Sequence, residues 1–174
     1  LLHENARDAA HGLVSPERLI VTPQGQLIVA EHVCGAAVEQ MQYGRERLWH
    51  ELRIAMPPSA GIPRFDQRAD VTGIGVVALS LVLGRALRDD EFPRGVNDLL
   101  NTARERSALG DETPLSHGLR AWLACALQTD IRRAFASAPE ALAALDQLIS
   151  ENSAYVPAPV ALETFLSRYI AAVL

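Results

Sequence analysis

The sequence predicts a mainly α domain, α+β overall, with one short β-hairpin. Three observations carry this. Apolar residues recur at helical spacing over Val71–Val82, over Leu119–Ala126 and over the last dozen residues. Two β-branched runs, Leu19–Thr22 and Leu27–Ala30, flank Pro23-Gln24-Gly25. And 174 residues with 49% hydrophobic and 21% charged content suffice for one packed core.

Taken in order, Leu1–Ala10 is expected to be the end of a helix, stopped by Gly12. Ser15-Pro16-Glu17 is a tight turn leading into the hairpin, where Pro23 presets the first turn residue and Gly25 takes the left-handed one. Residues 31–63 read as irregular, with one short helix near Arg45–Ile54 and a Pro- and Gly-rich loop after it. Asp70 looks like the start of the next helix, which is apolar all round, hence buried, and ends at Gly84. Further helices are expected over Gly95–Arg106, Ser116–Leu127 and Pro139–Ile149, the last with Ser137 and Glu140 at capping-box spacing. Residues 150–159 form a polar linker, and 160–174 an amphipathic helix with Leu162, Phe165, Leu166, Tyr169, Ile170 and Val173 on its apolar side.

The formal net charge is −5, and all 16 basic residues are arginine. Without lysine the chain alone completes no P-loop, no Schiff base and no self-sufficient kinase phosphate grip. The acidic balance argues against general affinity for nucleic acid or an anionic membrane. Cys34 and Cys125 are too few for a disulfide framework and suit two buried thiols in a reducing, cytoplasmic setting. The longest apolar run, Val76–Leu83, is far short of a bilayer span, and no signal peptide is visible. With Leu1 first, the sequence reads as a fragment of a longer protein.

Several apparent motifs dissolve on inspection. Gly73-Ile74-Gly75-Val76-Val77-Ala78 matches a dinucleotide fingerprint but follows no strand, so small residues for close helix packing explain it better. His50-Glu51 lacks the second histidine of a zinc motif, since Ile54 stands there, and the five histidines show no ligand spacing. Arg45, Arg47 and Arg53 near Tyr43 and Trp49 suit either an anion or partner site or an exposed helix face paired with Glu46 and Glu51. Arg132-Arg133 fits a surface helix entry. The terminal apolar stripe could pack internally or dock to a partner.

His11-Gly-Leu-Val-Ser-Pro-Glu-Arg-Leu-Ile-Val21, then the hairpin and Ala30-Glu31-His32-Val33, resembles the catalytic and metal loops of a protein kinase. Asp70 and its apolar helix resemble that family's central buried helix. Leu119–Leu127, Asp130–Phe135 and Ser137–Leu145 resemble its last two core helices. The likeness covers residues 1–149 and the C-terminal lobe only, and implies an N-terminal lobe upstream. It implies a structural role for His11, packed beneath the loop, and for Asp70, capping the loop backbone.

The departures fall on the chemistry. The resemblance aligns the catalytic Asp with Leu13, at the mouth of the cleft, and the phosphate-steadying Lys with Ser15. It aligns the metal-binding Asn with Arg18, which has no acceptor, and the metal-binding Asp with Glu31. The Arg after the loop His is Gly12. A buried Glu–Arg pair is replaced at both ends, by Met56-Pro57-Pro58 and Ala134; losing one partner alone costs ~3–5 kcal/mol, whereas losing both can be neutral. The resemblance therefore implies a pseudokinase: no working catalytic residue, no cofactor and no metal, acting as a regulatory or scaffolding module for a protein partner. The competing expectation is an atypical serine/threonine kinase that uses ATP with the upstream lobe and holds one Mg²⁺ at Glu31. An all-α interaction domain, the third possibility, would lack the hairpin.

Overall fold

Helix α3, Gln67–Leu83, is the axis of the chain. In this computed structural model, which describes residues 9–32, 34–58, 61–106, 110–152, 155 and 159–173, it is buried on several sides. Its first amides are capped by Asp66, whose carboxylate accepts from Ala69 N at 3.0 Å, so the helix starts three residues before Asp70. Asp70 thus lies inside the first turn, and its carboxylate serves elsewhere. Gly84 closes the helix at φ 66°.

Before α3 come a 3-10 turn at Pro16–Arg18 and the hairpin β1 (Leu19–Val21) and β2 (Leu27–Val29), antiparallel with Leu19 opposite Val29. Thr22 and Gly25 close its turn. Helices α1 (Cys34–Gln40) and α2 (Arg45–Leu52) follow. After α3 come α4 (Val96–Thr102), β3 (Arg104–Arg106), β4 (Glu112–Pro114), α5 (His117–Ala126), α6 (Ala138–Glu151) and α7 (Pro159–Val173). The architecture is mainly helical with two small antiparallel sheets.

The main core joins Val71, Val76 and Leu79 of α3 to Leu100, Leu123 and Ala126. Trp122 closes one side, its Nε1–H donating to the Ala141 carbonyl at 2.8 Å, which ties α5 to α6. A second cluster lies under the loop before the hairpin: Leu13, Leu48, Ile54, Met56 and Ala69. The Gly73–Gly75 run is a packing device. A Cβ on Gly73 would collide with the Val14 carbonyl, and one on Gly75 would press on Leu127 at 3.0 Å.

Four expectations change. The helix expected to reach Arg106 stops at Thr102, because Ala103 turns extended (φ −59°, ψ 143°) and Arg104–Arg106 pair with Glu112–Pro114, giving a second hairpin. Periodicity could not show this, since Arg-Glu-Arg carries no apolar alternation. Cys34–Gln40, expected irregular, is helical, in a short segment whose small residues give little amphipathic signal. The thiols are not two buried groups: Cys34 is exposed and Cys125 half-buried. Asp70 is not the helix cap. The helix expected over Leu1–Ala10 lies almost wholly outside the described residues, as does Val33, and residues 153, 154 and 156–158 of the expected linker do too. Tyr155 anchors that linker: its hydroxyl donates to Glu105 Oε2 at 2.6 Å and shares a hydrogen bond with Ser116 at 2.7 Å. Helix α7 leaves Val160, Phe165 and Tyr169 exposed. No helix among the described residues is long and apolar enough to cross a membrane.

Past the end of α3, a buried carboxylate fixes the turn into α4. Glu91 accepts from Arg85 through both guanidinium nitrogens (2.8 and 2.7 Å) and from Arg88 N at 2.7 Å. The Arg85 hydrogen bonds, with the Arg88 amide and both cationic charges, outweigh burial and hold its carboxyl down at about 2. A carboxylate depressed in the fold stabilises it above the unfolded value near 4.5, and that contribution is lost as pH falls toward 2. Glu91→Gln is expected to cost about 2 kcal/mol at pH 7. In urea unfolding followed from pH 7 to pH 2, the gap between the variant and the unmodified chain closes below pH 4.5. A pH-independent gap would show that the carboxylate charge plays no part.

Candidate functional site

One turn into α3, the Asp70 carboxylate accepts from His11 N at 2.6 Å and from Gly12 N at 2.7 Å, across 59 and 58 residues of sequence. The side chain is buried, and charge-assisted bonds to two amides are the strong kind. They pin the loop before the hairpin to the central helix. Gly12 makes the turn possible. Its φ is 79°, and a Cβ there would stand 2.7 Å from the Phe65 ring, so no arginine fits this backbone.

Leu13, placed by the resemblance at the mouth of a cleft, is 1% exposed and packs in the second apolar cluster. Its side chain serves packing and meets no opening. The physical reason is local: Asp70 draws the preceding amides down, Val14 seats on Gly73, and an apolar side chain in that position gains ~2 kcal/mol by turning inward.

His11 lies beneath the hairpin, 5.1 Å between its ring centre and that of His32, and its Nδ1 accepts a long bond (3.4 Å) from Leu13 N. Burial pushes its imidazole below the ordinary value; Asp70 and the Val29 carbonyl pull it back in part, while His32 and Arg18 add to the lowering. Its Nε2 is buried without a hydrogen-bond partner among the described residues.

Ser15, Arg18 and Glu31 come together at the base of the hairpin. Ser15 is buried, and its hydroxyl, instead of capping the 3-10 turn, accepts from Arg18 Nη1 at 2.9 Å. Arg18 Nε donates to Glu31 Oε2 at 2.8 Å. The guanidinium side chain is 15% exposed and the carboxylate 53%. Backbone bonds run alongside: Arg18 N to Ser15 O at 3.1 Å and Ala30 N to Arg18 O at 2.9 Å. Glu31 sits at φ 67°, a left-handed conformation that costs a non-glycine residue about 1 kcal/mol. Arg18 and the Cys34 amide, which donates to the Glu31 carbonyl at 2.9 Å, hold it there. The only cation of this cluster and its only carboxylate are therefore spent on each other. Among the described residues no three His, Cys, Asp or Glu side chains gather as a metal-ligand set.

Most of the other candidate groups have local contacts, although Arg53 Nη1 is buried without a hydrogen-bond partner among the described residues. Arg47 pairs with Glu51 at 2.9 Å and lies 3.7 Å over the Tyr43 ring, Arg53 stacks on Trp49, and Arg45 Nε donates to the Pro57 carbonyl at 2.9 Å. Glu46 meets Arg94 at 3.2 Å. Arg132 and Arg133 are exposed, Met56 is buried and Ala134 half-buried. Sequence reasoning missed Gln128. It is fully buried at φ 54°, and its amide donates to the Arg68 carbonyl at 2.9 Å and to the Thr72 hydroxyl at 3.0 Å, locking α5 to α3. No pattern flags a glutamine after a helix for such a role. It also missed Glu91, hidden in an ordinary-looking charge run.

Asp70→Ala is expected to cost about 2–4 kcal/mol in denaturant unfolding, because two buried amides lose their acceptor. Asp66→Ala, which removes only a cap, should cost about 1 kcal/mol. Because folding lowers the His11 value, the folded state disfavours the charged form, and stability falls as pH drops below the unfolded value of 6.5. His11→Gln should flatten the melting temperature between pH 7 and pH 5; an unchanged slope would rule His11 out as its source. Comparison with protein-family profiles, with curated proteins and with solved structures finds no match for this chain.

Proposed function

We propose that the chain is the C-terminal lobe of a protein kinase-like domain that transfers no phosphate and serves as a regulatory or scaffolding module. The observation that carries this reading is the Arg18 guanidinium bound to Glu31 at 2.8 Å and to Ser15 at 2.9 Å. A kinase-like site implies Mg²⁺ and ATP, and these donors do not fit a metal. Arg18 offers no acceptor, and its fixed positive charge lies where a divalent ion would need a ligand. Glu31 would have to give up its partner to bind one, and Leu13 and Ser15 supply no carboxylate.

The long-range grip of Asp70 on the His11 and Gly12 amides is the contact that the resemblance implies for these positions, and it supports the fold assignment. So does the hairpin between Arg18 and Glu31, which an all-α interaction domain would lack. Ile20, Val21, Leu27 and Ile28 are exposed on that hairpin, the Ile20–Ile28 pair on one side of the ribbon and the Val21–Leu27 pair on the other, and offer apolar surface to the N-terminal lobe that the resemblance places upstream.

Thermal-shift titration with ATP, with and without Mg²⁺, beside a phosphotransfer assay on a generic protein substrate, tests the reading. The expected result is no Mg²⁺-dependent rise in melting temperature and no turnover. Metal-dependent stabilisation together with turnover would establish the atypical kinase instead.

A further inference from the structure

A groove of about 540 Å³ lies at the C-terminal end of α3, between that end, the end of α4 and the second hairpin. Its floor is apolar: Leu81, Leu83, Leu99 and Ala103. Leu81 is 78% exposed, on a helix whose other large side chains are mostly covered. Its rim is cationic. Arg85, Arg104 and Arg106 line it, against a single lining carboxylate among the described residues, Glu112. Arg85 is spent on Glu91. Glu112 pairs with Arg106 at 2.6 Å, an exposed contact that exchanges at little cost, and its carboxyl is held below the ordinary range by that bond and by the charges of Arg106 and Arg104. Arg104 makes no ion pair of its own among the described residues, so two guanidinium groups share one carboxylate. The excess is positive on a chain whose net charge is −5.

We infer that this groove docks a segment of a partner protein that presents a bulky apolar side chain followed by carboxylates. The apolar floor takes the side chain, in a volume typical of a site for a small group. Arginine at the rim suits carboxylates, which it can grip through two parallel bonds, and Glu112 already shows that a carboxylate is held there, through one bond from Arg106. An apolar floor gains nothing from a phosphate backbone, which disfavours nucleic acid as the occupant. The groove is remote in sequence from the Arg18 cluster, so the inference gives the proposed scaffolding role a surface and a partner chemistry without depending on the fate of nucleotide.

The test uses two fluorescein-labelled decapeptides, one with paired leucines followed by three glutamates, the other with lysines in place of the glutamates. Fluorescence anisotropy should show saturable binding of the acidic peptide that weakens with salt, and binding of the lysine peptide at least about tenfold weaker. Arg104→Glu should weaken the acidic peptide by about tenfold, and Leu81→Asp should abolish binding. Both positions are exposed, so both variants should melt like the unmodified chain. The inference fails if neither peptide binds, if both bind alike, or if Leu81→Asp binds unchanged. It fails equally if a single-stranded oligonucleotide displaces the acidic peptide and binds Leu81→Asp as well as the unmodified chain. Nucleotide titration stays a separate readout, so peptide failure with no Mg²⁺–ATP response would refute the groove alone.

Discussion

The architecture depends on one carboxylate. Asp70, buried in the first turn of the central helix, holds the amides of His11 and Gly12 and so fixes the loop that leads into the first hairpin. Everything at the base of that hairpin inherits its position from this grip. Leu13 is turned into the core and Val14 is set on Gly73, while Ser15 is left where the Arg18 side chain can reach it. A buried carboxylate satisfied by two amides is worth its desolvation only when both bonds form, which makes the loop's placement close to all-or-none. Asp66 takes the capping duty that Asp70 would otherwise carry, so the two aspartates divide the work of starting the helix and of reaching out from it.

Around that anchor the polar groups are arranged to hold rather than to react. At the hairpin base a guanidinium and a carboxylate neutralise each other, and the nearby hydroxyl is used as an acceptor. At the end of the central helix Glu91 is clasped by Arg85 and Arg88, and at the junction of α5 and α3 Gln128 fills its donors on the backbone and on Thr72. Tyr155 and Ser116 converge on Glu105 and tie the segment after α6 to β3. Each is a side chain spanning two elements that apolar packing alone would leave free to shift. Arg104, which makes no ion pair among the described residues, and the exposed Leu81 lie instead at the C-terminal end of the central helix.

Much of this was legible in the sequence, and the limits have physical reasons. The central helix announces itself because it is apolar on all sides and bounded by aspartate and Gly84; the first hairpin because β-branched runs flank Pro-Gln-Gly. The second hairpin was illegible because its strands, Arg-Glu-Arg and Glu-Thr-Pro, pair through backbone and charge with no buried face. The direction of Leu13 was missed because alignment to a motif says which residue stands at a position and nothing of how the backbone twists there; Gly12 at φ 79° and the close approach of Val14 to Gly73 decide that. The meeting of Ser15, Arg18 and Glu31 was foreseeable only as three separate positions. Their mutual satisfaction is a tertiary fact that needed the hairpin's register.

The central claim is that Arg18 holds Glu31 as a built-in cation and that no external one displaces it. Nuclear magnetic resonance of the Arg18 Nε–H signal during addition of Mg²⁺, and then of Mg²⁺ with ATP, tests this most directly. The account predicts a signal that keeps its position and its protection from exchange with water throughout. A signal that shifts and loses protection on metal or metal–nucleotide addition, with Glu31 moving in step, would contradict it.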